Sequence, residues 1–180
     1  VTQYYAYKRF RLDRAPKNTR ILITCFYVMI ALAVSVGVLN YKVRTGLTAT
    51  GTAEWYRGNE DAPGEVSEIH FAKSVRELLD VTHPHLFEES LILFVLCHLY
   101  GLSTARERVK RAVYLLSFSA VLLDTGMPWA VRFVSPALAP LHIASTVLLA
   151  AMFVVLMGRP LIDMWWAFDR EEQYDWARHE

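Results

Sequence analysis

The chain reads as an all-α integral membrane protein, a four-helix bundle with a structured outer loop. Three observations lead there. It is 54% hydrophobic and 13% aromatic over 180 residues, above the roughly 45–50% apolar content usual for soluble domains. Its charges cluster between apolar runs instead of being spread along the chain. Four of those runs approach the about 20 residues that a spanning helix requires.

The first run, residues 21–39, carries no charge and follows a basic arm. It lacks a small-residue cleavage signature, so it is expected to be a retained span and not a signal peptide. The second, residues 84–102, opens on His-Pro-His and carries Glu88 and Glu89 near its start. Pro84 suits a first helical turn, where a missing N–H costs nothing. The third, residues 112–131, contains Asp124, Gly126 and Pro128, and the fourth, residues 137–158, is uncharged. Between the first two spans lies an outer loop, residues 40–83, too long for a bare connector. Its end, residues 69–81, repeats Ile69, Ala72, Val75, Leu78 and Leu79 at helical spacing, with Lys73, Arg76, Glu77 and Asp80 opposite. That pattern predicts a short amphipathic helix. The terminal segments 1–20 and 159–180 complete a single membrane domain. Their aromatics, Tyr4, Tyr5, Tyr7 and Phe10 at one end and Trp165, Trp166, Phe168, Tyr174 and Trp176 at the other, fit the membrane interface.

Basic residues set the orientation. Lys8, Arg9, Arg11, Arg14, Lys17 and Arg20 precede the first span, and Arg106, Arg108, Lys110 and Arg111 fill the second loop. Under the positive-inside rule both lie in the cytoplasm. The chain is thus expected to be multi-pass in a bacterial inner membrane, with both termini cytoplasmic.

Several function classes drop out. A net charge of +1 provides no electrostatic footprint for nucleic acid. Cys25 and Cys97 stand alone in apolar runs, which suggests neither a disulfide framework nor covalent c-type haem attachment. No ligand set for structural zinc exists, because His-x-His supplies only two of four positions. Paired broken helices, the mark of a transporter, are lacking.

Chemistry is expected where ionisable groups meet apolar runs, because such groups are expensive in a membrane. Helices two and four should run parallel, so His83 or His85 can meet His142 at one depth. Two imidazoles facing across a gap suit the axial positions of a b-type haem, with His85 and His142 the preferred pair. Ala139, Ser145 and Thr146 are small enough to leave room for a macrocycle. Three readings of these histidines stay open: haem iron ligation, contact with a quinone or lipid headgroup, and a purely structural role. His98 lies about 20 Å from His85 along the helix; it needs a partner from elsewhere, or is a structural histidine. Glu88, Glu89 and Asp124 form a candidate proton-handling or quinone-contact cluster, or else sit at the interface and pair with Arg132. His70 and His179 are expected to be solvated.

Lys73-Ser74-Val75-Arg76-Glu77-Leu78-Leu79, Thr82-His83-Pro84-His85-Leu86-Phe87, Leu123-Asp124, Pro128-Trp129 and Met164-Trp165 together resemble a family of small bacterial four-helix membrane proteins. Its members share a Thr/Ser-His-x-His-Leu-Phe segment opening a span, an Asp in the next helix and a Met-Trp ending. The resemblance covers most of the chain from Tyr56 onward. Some relatives carry a c-type haem in the outer loop, and the resemblance implies association with electron transport. This chain lacks Cys-x-x-Cys-His, which leaves the His-x-His segment as the candidate for cofactor contact.

The expected role is a small integral subunit of a bacterial respiratory or photosynthetic electron-transfer complex, an electron carrier or non-catalytic member. It would bind a b-type haem or shape a quinone site at the outer face. Its partners would be other membrane subunits of that complex and the lipid bilayer. The alternative is a cofactor-free accessory subunit that anchors and stabilises a larger complex.

Overall fold

The computed structural model describes residues 11–60 and 68–166. Among them the chain is wholly helical. Five helices follow one another: α1 (Lys17–Thr45), α2 (Ala49–Arg57), α3 (Val75–Gly101), α4 (Glu107–Phe133) and α5 (Ala139–Trp165). Short 3₁₀ turns precede α1 (Leu12–Arg14) and α5 (Pro136–Leu138). Three segments are long and apolar enough to cross a membrane: α1, α4, and α5 with its leading turn.

Local chemistry sets the helix ends. α1 stops at Gly46, whose left-handed backbone (φ 62°) lets its N–H return to the Lys42 carbonyl, an economical stop because glycine has no Cβ to clash. Thr48 then caps α2 by accepting from the Gly51 N–H at 3.0 Å. At Gly51 a Cβ would press on the Thr45 carbonyl, so the tight α1–α2 corner depends on a bare backbone there. Ser74 opens α3 with a reciprocal capping box: its hydroxyl accepts from the Glu77 N–H, and Glu77 accepts from the Ser74 N–H.

That cap corrects two expectations. The segment predicted as a separate amphipathic helix is non-helical through residue 74 and then becomes the first turns of α3. The His-Pro-His segment does not open a helix; it lies in the third turn of one 27-residue helix. Pro84 sits inside α3 and removes one backbone hydrogen bond, a loss that the Ser74–Glu77 start and the long run beyond it absorb. The other helices also exceed their predicted spans, because polar residues at each end continue the helix beyond the apolar run. α4 continues through Gly126 and Pro128, and α5 through Pro160.

α4 packs most extensively on α5 and then on α3, while α1 leans on α2 and α5 and meets α3 through the shared core. α2 lies across the adjoining ends of α4 and α5. The main hydrophobic cluster lies toward the end remote from α2: Ile23, Tyr27 and Ile30 of α1, Leu93, Leu96 and Tyr100 of α3, Val113 and Ala120 of α4, and Phe153 and Leu156 of α5. Toward α2, neither α1 between Ile30 and Thr45 nor α3 between Leu78 and Leu93 buries a residue.

The remote end is fastened by polar contacts. Leu12 donates its N–H to the Leu102 carbonyl at 3.1 Å. Lys110 reaches back to the Gly101 carbonyl at 2.7 Å, placing a cation at the C-terminus of α3, where the helix dipole favours it. Asp163 accepts from the Thr104 N–H at 2.6 Å and from its hydroxyl at 2.8 Å. Arg159 also meets the Thr104 hydroxyl. The N-terminal tyrosines and Phe10, Phe168, Tyr174, Trp176 and His179 lie outside the described residues.

Candidate functional site

Where α1 and α3 stand apart, a cleft of about 600 Å³ opens, floored by α4 and α5 and closed at one end by α2. Its polar groups come from every helix: Tyr41 and Arg44 (α1), Trp55 and Tyr56 (α2), His85 and Glu89 (α3), Asp124 (α4), and His142 and Thr146 (α5). Below them the walls are apolar, with Ile30, Val34, Ile92, Leu149 and Phe153.

His142 is the centre of the polar group. It is 3% exposed, and the rings of Tyr41 and Tyr56 meet it edge-on at 5.4 and 5.5 Å. The Tyr56 hydroxyl lies 3.3 Å from Nε2. Burial pushes the Tyr56 phenol well above its ordinary value, so it keeps its proton, and it donates to Nε2 or accepts from Nε2–H according to the imidazole tautomer. Nδ1 is buried without a hydrogen-bond partner. The nearest carboxylate oxygen, Asp124 Oδ1, is 3.8 Å away, too far for a hydrogen bond. A buried ring nitrogen left in this way costs free energy unless something pairs with it.

Asp124 is held by α5: its Oδ1 accepts from the Thr146 hydroxyl at 2.6 Å. Pro128, four residues on in α4, has no N–H, so the Asp124 carbonyl lacks its helical donor. On the opposite wall, His85 Nδ1 and Glu89 Oε1 are 3.2 Å apart, one turn apart on α3. The second Glu89 oxygen is buried without a partner. At the mouth, Arg44 and Lys73 both stack on Trp55, at 5.3 and 4.3 Å from its ring centre.

The structure thus brings four of the singled-out residues to one cleft: His85, Glu89, Asp124 and His142. It leaves three outside: His83, Glu88 and His98 are exposed on the outer surface of α3 and do not line the cleft. His98 shares its face with the exposed Phe87, Leu91 and Phe94. Arg132 pairs with none of the three acids; it donates to the Lys73 carbonyl at 2.8 Å. Ser145 donates to the His142 carbonyl at 2.7 Å, and Thr146 holds Asp124. His70 packs edge-on against Trp55 at 5.4 Å instead of standing free.

Of the two ring nitrogens of His142, Nε2 faces the Tyr56 hydroxyl and Nδ1 is without a partner. Among the described residues, no three of His, Cys, Asp or Glu gather as a metal site. The cleft presents that Nδ1 and the carboxylates of Asp124 and Glu89.

Sequence reasoning missed Tyr41, Tyr56, Trp55 and Arg44. Each lies far along the chain from His142, and only the α1–α2 corner carries them to it. The Thr82 hydroxyl accepts from Trp129 Nε1 at 2.8 Å, and Trp165 donates to the Thr24 hydroxyl at 3.1 Å. Three residues quoted for the resemblance, Thr82, Trp129 and Trp165, therefore fasten α3 to α4 and α5 to α1.

No curated protein and no solved structure matches the chain. A family model does match, over residues 46–172, the stretch that holds α2 to α5 and every cleft residue except those of α1. With three apolar helices of spanning length around a shared polar cleft, the chain belongs to the Aq_1264_TM family of transmembrane helical domains.

Proposed function

We propose that this protein is a small integral subunit of a bacterial electron-transfer complex and that its cleft binds the headgroup of a quinone. The observation that carries this reading is the buried Nδ1 of His142, unpartnered, in a cleft that also holds the carboxylates of Asp124 and Glu89. In its Nδ1–H tautomer His142 donates to a quinone carbonyl. A quinol, on oxidation, loses two protons and two electrons. In this reading the protons pass to the Asp124 and Glu89 carboxylates, and the electrons pass to a redox centre of a partner subunit. The resemblance to bacterial proteins associated with electron transport supports the same assignment.

In this reading α3 is the fourth span. It has the 27-residue length of α4 and α5, about 40 Å at 1.5 Å per residue. His85 and Glu89 face the cleft, and His83 and Glu88 mark the headgroup boundary. The basic residues before α1 and in the α3–α4 loop support an orientation with α2 and the cleft mouth at the outer face of the inner membrane.

Purified chain in nanodiscs should retain extractable quinone near one per chain. Asp124→Asn and His142→Ala should each reduce that occupancy about tenfold, a loss on the scale of one strong hydrogen bond. A folded wild-type chain that neither retains quinone nor binds added quinone overturns the reading in favour of a cofactor-free scaffold. A b-type haem near one per chain, in a reduced-minus-oxidised spectrum, overturns it in favour of an electron carrier.

A further inference from the structure

The cleft has two chemically distinct parts, and only the upper one is accounted for by a headgroup. From Val38 down to Ile30, a rise of roughly 12 Å along α1, the α1 wall carries no ionisable group, and on α3 Glu89 stands one turn above Leu93. Val34 and Gly37 of α1 face Ile92 of α3 and Leu149 and Phe153 of α5 across it. Gly37 is the narrowest residue on this strip, and a Cβ there would meet nothing within 4 Å. The floor is closed by the packed core that begins at Ile30 and Leu93. Its side is open between α1 and α3, which above the shared core bury no residue between Ile30 and Thr45 or between Leu78 and Leu93.

We infer that the lower cleft is a groove for a single isoprenoid tail, entered sideways from the bilayer between α1 and α3, with the headgroup at His142 and the tail running along Gly37 toward Ile30. The inference rests on the quinone reading and names the ligand as a long-tailed, uncharged quinone. Three features select that class. An aqueous ligand would leave the apolar strip unfilled, whereas a polyisoprenoid chain buries it. An anionic headgroup would be brought against Asp124 and Glu89, and like charges at close range in a site of low dielectric are costly. The two cations near the mouth, Arg44 and Lys73, are already stacked on Trp55.

The test uses the full chain in nanodiscs and one quinone headgroup in two forms, with a single isoprene unit and with a long polyisoprenoid tail. Binding is read by quenching of tryptophan fluorescence. Gly37→Trp fills the groove without displacing any neighbour. It should lower the affinity for the long-tailed form at least about tenfold more than for the short-tailed form. Val36→Trp, on the exposed face of α1, should leave the ratio of the two affinities at its wild-type value and controls for folding. Equal effects of Gly37→Trp on both forms, or none on either, overturn the groove while the headgroup site stands. Wild-type binding of neither form overturns the quinone reading itself. A phospholipid retained by the wild type and displaced by Gly37→Trp overturns the ligand class.

Discussion

Asp163 is 2% exposed and sits near the end of α5, yet every polar partner it has comes from a side chain or N–H that must be placed by the fold. It accepts two hydrogen bonds from Thr104, and Arg159 Nε lies 3.2 Å away. Removing a carboxylate from such a buried set strands its partners. Asp163→Ala should destabilise the protein by about 3 kcal/mol, and Asp163→Asn by less because one acceptor oxygen remains. Thermal unfolding of both variants in detergent checks the order. Sequence reading passed over Asp163, since an isolated acid near an aromatic tail resembles any surface residue and Thr104 lies 59 residues away. It singled out Asp124 and His142 because ionisable groups inside apolar runs are conspicuous. Their partners Tyr56 and Thr146 are ordinary residues that acquire a role only through position.

At the scale of elements, the start of α3 rests on the Ser74–Glu77 box, and this start responds to pH. The Ser74 N–H and hydroxyl hold the Glu77 carboxyl below its ordinary value. A depressed carboxyl contributes stability that is fully present above its unfolded-state value and is lost as pH falls through the lower, folded-state value. Amide exchange in residues 75–78 should therefore be protected at neutral pH and should accelerate below about pH 4. Ser74→Ala keeps the N–H and loses the hydroxyl, so it should remove the smaller part of that pH dependence and weaken the helix start by about 1 kcal/mol. The Ser-x-x-Glu signature stands in the sequence, but Pro84 resembles a helix opener. The cap prevailed because a proline inside a long helix removes only one donor, whereas an uncapped start leaves several N–H groups unsatisfied.

Over the whole molecule, packing is divided lengthwise. The end remote from α2 holds the core, and the α2 end holds the cleft, so equal truncations should have unequal effects. Leu96→Ala, at a site with 0% exposure in the shared core, should cost about 2 kcal/mol or more. Val38→Ala, on the cleft wall and 39% exposed, should cost under about 0.5 kcal/mol. Thermal unfolding in one detergent compares them directly. This division also gives the cleft a packed floor beneath two walls that bury no residue above the shared core, a form suited to admitting a ligand from the side.

The helical class, three apolar segments of spanning length and the candidacy of His85, Glu89, Asp124 and His142 follow from composition and periodicity, because burying charge in an apolar run is costly wherever the run folds. Only the tertiary structure separated those residues from His83, Glu88 and His98. On α3 the two sets alternate within a few residues, and which side of the helix meets α4 and α5 is settled by the packing of Leu93, Leu96 and Tyr100. The same is true of the space between α1 and α3. It exists because α1 and α3 meet through the core at one end and bury no residue above it, and no local pattern in either helix records that separation.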